Sequence, residues 1–285
     1  MSGNKAKVMT LIIAVVLLLQ GCGLKFWYNR LDWVVPWYVD DYIELTDAQE
    51  SELEKLMVLK TRWHRTSELP AYVSFLNGIK QDIKQREVVV NYEQRRQQIR
   101  EFYERILAEM SPQLTELMLT MTKPQLESFV AALKENDQEW SEEVEERSDE
   151  DVIERRIENL TDNINEWSGR LTKEQKKLVE KWASELKSTG EMRLKYREQW
   201  RSALQQAFLL EDVAKRKTEF TKLIVEGQSL QSEELIQAYQ HNAEVAERYL
   251  GLLADTMTPK QEKKLLARID NYIEDFEDLI AEEKE

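Results

Sequence analysis

Cysteine is almost absent from this sequence. The one copy, Cys22, can form no disulfide within the chain. Histidine is nearly as scarce, with His64 and His241 alone. Neither belongs to a Glu-x-x-His or His-Glu-x-x-His pattern, so the ligand sets of di-metal bundles and zinc peptidases are missing. No metal and no cofactor are expected. Glycine and proline number only 8 and 5, and no Gly-x-Ser-x-Gly, phosphate loop or Gly-x-Gly-x-x-Gly is present. Runs of alternating strand residues are also lacking. Val88-Val89-Val90 is β-branched but too short to matter. Basic residues are outnumbered, 40 against 54, for a net charge of −14. Such a surface repels nucleic acid and anionic headgroups. A nucleic-acid partner is excluded on that ground, and no small-molecule substrate is expected.

What is abundant is helix-forming material. Leu, Glu, Lys, Gln and Ala dominate. Eight tryptophans and ten tyrosines supply a core and argue against disorder. The predicted fold class is all-α, an elongated multi-helix bundle. Residues 26–43 read as one or two short helices bent at Pro36. A helix follows from Asp47 to about Thr66, and another starts at Leu69-Pro70. Asn91, with Gln94 three residues on, has the form of a helix start. Ser111-Pro112 punctuates that helix, and a short one follows to about Thr120. Further helices are predicted over 123–146, 149–167 (ended by Gly169), from Lys173 with a bend near Gly190, then 191–210, 212–226, 230–254 and 260–282.

The N-terminus reads as an export signal. Lys5 and Lys7 precede an apolar run from Val8 to Leu19, which is shorter than a membrane span requires. Leu19-Gln20-Gly21-Cys22 then fits the lipid-accepting pattern of bacterial lipoproteins, although Gln20 is a less usual occupant of its position. Residues 1–21 are thus expected to be a cleaved signal peptide. Cys22 is expected to carry the acyl (palmitate-type) anchor, followed by an aromatic juxtamembrane segment to residue 43. Gly23 after the cysteine, in place of Asp, resembles the default signal for outer-membrane delivery. The expected location is the bacterial cell envelope, lipid-anchored at the outer membrane and facing the periplasm.

One motif recurs four times: Leu45-Thr46-x-x-Gln49, Met121-Thr122-x-x-Gln125, Leu171-Thr172-x-x-Gln175 and Met257-Thr258-x-x-Gln261. Threonine is the N-cap, accepting from the backbone N–H three residues on. Glutamine at that position reaches back to the N-cap N–H. As local physics these are four well-capped helix starts. The Leu-Thr-x-x-Gln pairs also resemble the signature of Spy and CpxP type periplasmic proteins, small helical cradles that hold unfolded clients or sensor domains. That resemblance implies two tandem halves, 44–148 and 149–285. The chain departs from the type in being acidic, lipidated and longer. Tyr28-Asn29-Arg30-Leu31-Asp32 and Trp37-Tyr38-x-Asp40, directly after the lipid-accepting cysteine, resemble a family of uncharacterised bacterial lipoproteins, domain of unknown function 6279. This resemblance implies an α-helical lipoprotein and no particular activity.

The aromatic cluster Trp27, Tyr28, Trp33, Trp37, Tyr38 and Tyr42 admits three readings: a buried seam, an interfacial belt at the headgroups, or a partner surface. Carboxylates crowd Glu142–Asp151, as a glycosidase would need, but acidic runs on helices are usually solvated faces. No catalytic residue is expected. The expected function is non-catalytic: a tethered protein that binds other envelope proteins, chaperone-like or related to envelope stress. The alternative is a structural accessory subunit of an envelope complex. A peptidoglycan-acting enzyme is the third.

Overall fold

The computed structural model describes residues 23–145 and 148–283. The expected signal peptide and Cys22 lie outside the described residues, as do the side chains of residues 142–147 and 149. All regular structure among the described residues is helical. The helices are α1 (Gly23–Tyr28), α2 (Leu31–Asp40), α3 (Asp47–Trp63), α4 (Leu69–Gln85), α5 (Tyr92–Leu119) and α6 (Lys123–Glu145). They continue with α7 (Asp149–Ser168), α8 (Lys173–Glu185), α9 (Gly190–Phe208), α10 (Val213–Val225), α11 (Glu233–Asp255) and α12 (Pro259–Glu282). No described helix is long and apolar enough to cross a membrane.

Three prolines expected to bend or end helices end none of them. The turn near the N-terminus falls at Asn29-Arg30, and α2 runs through a buried Pro36. At Pro70 the helix widens before the ring arrives. His64–Glu68 form a π turn, with the Leu69 N–H bonded to the His64 carbonyl. A proline ring clashes with the carbonyl four residues back, and one wider turn absorbs that clash. Residues 47–85 are therefore helical without interruption. At Pro112 the carbonyl of Ala108 loses its usual donor, and the Ser111 hydroxyl donates to it at 3.1 Å. So α5 continues for 28 residues. Asn91 precedes α5 as expected, but its side chain makes no cap bond. Its amide goes to Asp82 at 2.7 Å, where Arg95 also binds the carboxylate at 2.6 and 3.1 Å. The bend expected near Gly190 is a full break, residues 186–189, held by Asn242, which bonds both the N–H and the carbonyl of Lys187.

Two compact units emerge, Met1–Asn77 with Ala267–Glu285, and Gly78–Leu266. They are drawn differently from the halves 44–148 and 149–285. In the first unit the chain ends meet. Lys25 pairs with Asp278 at 2.5 Å and the Asn29 amide donates to Glu282 at 3.0 Å, so α1 is tied to the end of α12. Helix α2 packs on α3, and Ile43, Leu53, Leu56, Met57, Leu69, Ile269, Ile273 and Leu279 are buried.

The second unit has two cores. Leu126, Val130, Leu204, Ala207, Phe220 and Leu223 form one, among α6, α9 and α10. Leu171, Val179, Trp182, Val245, Tyr249 and Leu253 form the other, around α8 and α11, with Ile157, Leu160 and Ile164 of α7 against it. Trp182 and Tyr249 stack with ring planes 5° apart. One charged group is sunk beside the first core. Asp137 of α6 is buried and bridges Arg197, at 2.5 Å, and the buried Arg201 of α9. Removing one partner of such a pair strands the other charge away from water. Asp137→Ala should therefore lower stability by about 3–5 kcal/mol in urea unfolding, whereas Glu219→Ala, which breaks the exposed bridge to Lys222, should cost less than about 1 kcal/mol.

Candidate functional site

The four Thr-x-x-Gln motifs start α3, α6, α8 and α12. In each, the threonine N–H donates to the glutamine Oε1 at 2.9 Å, and the glutamine N–H donates back to the threonine Oγ1 at 3.2–3.4 Å. Thr46/Gln49, Thr122/Gln125, Thr172/Gln175 and Thr258/Gln261 are thus capping boxes. Two of them do more. Gln175 and Gln261 are buried and face each other, each donating to the other's Oε1, at 3.1 and 2.8 Å. The second amide hydrogen of Gln175 goes to the Thr256 carbonyl at 3.0 Å. That of Gln261 goes to the Arg170 carbonyl at 3.1 Å. Each acceptor lies two residues before the other motif's threonine, so the arrangement repeats under exchange of the two motifs. Every donor and acceptor position of both amides is used.

The two histidines are also placed. His241 donates from Nε2 to the Glu185 carbonyl at 2.9 Å, closing the end of α8. Nδ1 of His64, in the π turn, pairs with the Tyr28 hydroxyl at 2.7 Å, and the ring stands edge-on to Tyr72. Burial pushes the His64 imidazole below its ordinary range, partly opposed by Glu68, and burial raises the Tyr28 phenol. Arg65 of the same turn binds Glu283 at 3.0 Å and also donates to Asn29. The polar residues around His64 therefore fasten α1 to the first unit. Among the described residues no group of three or more His, Cys, Asp or Glu side chains could hold a metal.

The aromatic segment splits into two faces. Tyr28 turns inward to His64, and Trp27 is half-buried with its ring at right angles to Phe26. Trp33, Trp37 and Tyr38 of α2 are exposed, by 59%, 43% and 39%. Tyr42 is half-buried and shares a 3.0 Å hydroxyl contact with Tyr38. Neither a single buried seam nor a single exposed belt describes the cluster. The sequence hides this split because Trp27 and Tyr28 belong to a different helix from Trp33 and Trp37.

A second exposed apolar surface lies in the second unit. Ile99 and Tyr103 on α5 are exposed, as are Ile236 and Tyr239 on α11. Arg96 reaches across from α5 to Gln240 of α11 at 3.3 Å. Tyr196 of α9 lies near both Tyr103 and Tyr239; burial, then those two phenols, raise its pKa. The five residues come from three helices, so no local pattern could have grouped them. A cavity of about 30 Å³ between Ile83, Val89, Gly251 and Met257 has room for about one water.

Two outcomes follow from these contacts. Gln175→Ala and Gln261→Ala should each cost about 1–3 kcal/mol, because the remaining amide loses partners away from water. The double variant should cost less than the two together, and Gln175→Glu should be worse than Gln175→Ala at neutral pH. Chemical denaturation of the four proteins measures all three. The His64 imidazole binds its proton less well folded than unfolded, so the unfolded chain carries more protons below about pH 6.5. The His64 contribution should therefore be steady above that pH and turn destabilising as pH falls through it. His64→Gln should flatten that part of a stability profile measured from pH 8 to pH 5.

The chain matches the model of a family of unknown function (DUF6279) over residues 41–236. No curated protein and no solved structure matches it. The matched stretch begins just past the Tyr28–Asp40 residues whose pattern resembles that family and takes in three of the four Thr-x-x-Gln motifs. It spans more than half of the 285 residues, and the chain belongs to this family of unknown function.

Proposed function

We propose that this protein is an envelope lipoprotein, tethered through Cys22 to the periplasmic face of the outer membrane, that binds other envelope proteins and performs no catalysis. The observation that carries the binding role is the apolar strip Ile99, Tyr103, Tyr196, Ile236 and Tyr239. Ile99, Tyr103, Ile236 and Tyr239 are exposed and Tyr196 is half-buried; such residues are ordinarily buried, and a group of them at the surface marks an interaction surface. Tyrosines mixed with isoleucines suit a client in which apolar side chains are uncovered, as in an unfolded chain, since an aromatic ring with a polar tip tolerates many partners. The acidic surface adds a long-range preference for cationic clients. The four Thr-x-x-Gln starts, which resemble those of Spy and CpxP type proteins, agree with a chaperone-like or stress-related role. The tether itself rests on Leu19-Gln20-Gly21-Cys22.

The alternative is an accessory subunit of an envelope complex, held through the exposed Trp33 and Trp37. Two measurements separate the readings. A chaperone should suppress aggregation of an unfolded outer-membrane β-barrel in stoichiometric amounts. Ile99→Glu with Ile236→Glu should abolish the suppression while leaving the helical content unchanged by circular dichroism. An accessory subunit should instead cross-link in intact cells to one defined protein, and lose it in Trp33→Ala with Trp37→Ala. Full suppression by the glutamate variant would sink the strip as the client surface.

A further inference from the structure

We infer that the outward face of α1 and α2, made by Phe26, Trp33, Trp37 and Tyr38, is a lipid contact that sits in the headgroup layer of the membrane carrying the tether. The inference rests on the lipoprotein reading of Cys22 and adds the surface by which the folded body meets the bilayer.

The first argument is distance along the chain. Helix α1 begins at Gly23, the residue after Cys22. A helix rises about 1.5 Å per residue, so Phe26 lies within roughly 6 Å of the lipidated residue and Trp33 within roughly 17 Å along the helical path. The polar layer on each side of a bilayer is on the order of 5–8 Å thick. Acyl chains on Cys22 would therefore hold Phe26 at the depth of the headgroups, and Trp33, Trp37 and Tyr38 reach the same depth when α2 lies along the membrane plane. A soluble partner could reach it only by competing with the bilayer.

The second argument is chemistry. Phe26 is 48% exposed, and Trp33 and Trp37 are one turn apart on α2. Tryptophan and tyrosine have an apolar body and a polar edge, which suits the boundary between acyl chains and water. The opposite face of α2 is accounted for, with Pro36 buried and the helix packed on α3. The third argument is that the segment is fastened. Lys25–Asp278, Asn29–Glu282 and Tyr28–His64 lock α1 to the body. The aromatic face is thus part of an ordered surface, and its seating sets how that unit stands on the membrane.

Charge selects the lipid. Asp32, Asp40 and Asp41 are exposed beside the aromatics, with Arg30 as the exposed basic neighbour, its guanidinium 3.9 Å from the Phe26 ring centre. Together with the acidic body, this favours zwitterionic headgroups and disfavours anionic ones.

The test uses the full-length protein purified from membranes with its anchor and reconstituted into phosphatidylethanolamine–phosphatidylcholine vesicles containing lipids brominated near the headgroup. Tryptophan emission should be quenched, and Trp33→Phe with Trp37→Phe should remove about half or more of that quenching. Vesicles rich in phosphatidylglycerol should give weaker quenching. The mass of the N-terminal peptide is read on the same sample. An unmodified Cys22 would overturn the tether and the inference with it. Intact acylation with equal quenching in wild type and variant, or none in either, would overturn the headgroup face while leaving the tether standing. Protection of both tryptophans from aqueous quencher by one envelope protein, without bromolipid quenching, would overturn it in favour of a protein socket.

Discussion

Two glutamine side chains hold the second unit in register. Gln175 and Gln261 start helices 86 residues apart in the hydrogen-bond network, and each amide caps its own helix while donating to the other. A helix start leaves backbone N–H groups unpaired, and burying such a start is costly unless a side chain answers them. Here the two starts are buried against each other: each glutamine Oε1 answers its own helix start, and each amide N–H2 donates across to the other glutamine and to the carbonyl before its motif. Glutamate would cap as well, since either residue serves at the third helical position. Only the amide supplies an acceptor for its own helix and donors for its neighbour. Two facing carboxylates would repel in the same space. The recurrence of Thr-x-x-Gln, and not Thr-x-x-Glu, has a physical reason at this pair.

Helix propensity explains most of what the sequence made legible. Scarce glycine and proline, capping residues and three-four spacing sufficed for the all-α class and for most helix limits, including the stop at Gly169, whose φ of 93° suits glycine. The misses share one cause. Proline at 36, 70 and 112 was expected to interrupt, because its local cost is real. The structure meets that cost with a π turn at His64–Glu68 and a hydroxyl donor at Ser111. Asn91 has the local form of a cap, yet its amide is drawn to a buried Asp82 already gripped by Arg95. Which bond a side chain makes was decided by a residue on another helix, nine positions away, beyond the three-residue reach of a capping pattern. The reciprocal glutamines escaped notice for the same reason.

The π turn shows how a local repair becomes useful. It sits where a widened turn relieves the clash at Pro70, and such turns shift the register of the helix that follows. It also carries His64 and Arg65, the two residues that bind Tyr28 of α1 and Asn29 just after it. The N-terminal segment is therefore fixed at a place created by a proline just over forty residues later. Arg86 is a parallel case. It holds a left-handed backbone, φ 61°, at the end of α4, a position glycine would fill more easily. Its side chain donates to the Ala254 carbonyl at 3.1 Å and to Glu262 at 2.9 Å, contacts that glycine could not make.

The same distinction separates structure from surface among the aromatic residues. Trp182, Tyr249 and Tyr28 have neighbours that account for them: a stacked ring, a carboxylate at Glu185, an imidazole. Trp33, Trp37, Ile99 and Ile236 are exposed, and holding large apolar groups in water opposes the effect that drives folding. Stability gives no reason to place them there, and the membrane contact and client surface proposed above would supply one. The two exposed groups differ in kind. The α2 face is aromatic and follows Cys22 within a few turns of helix. The strip in the second unit mixes isoleucine with tyrosine and draws on three helices. A single partner chemistry would not call for both compositions. Under the proposed role of a tethered binding protein, a surface suited to headgroups would seat the first unit, and a surface suited to uncovered protein side chains would take what the second unit binds.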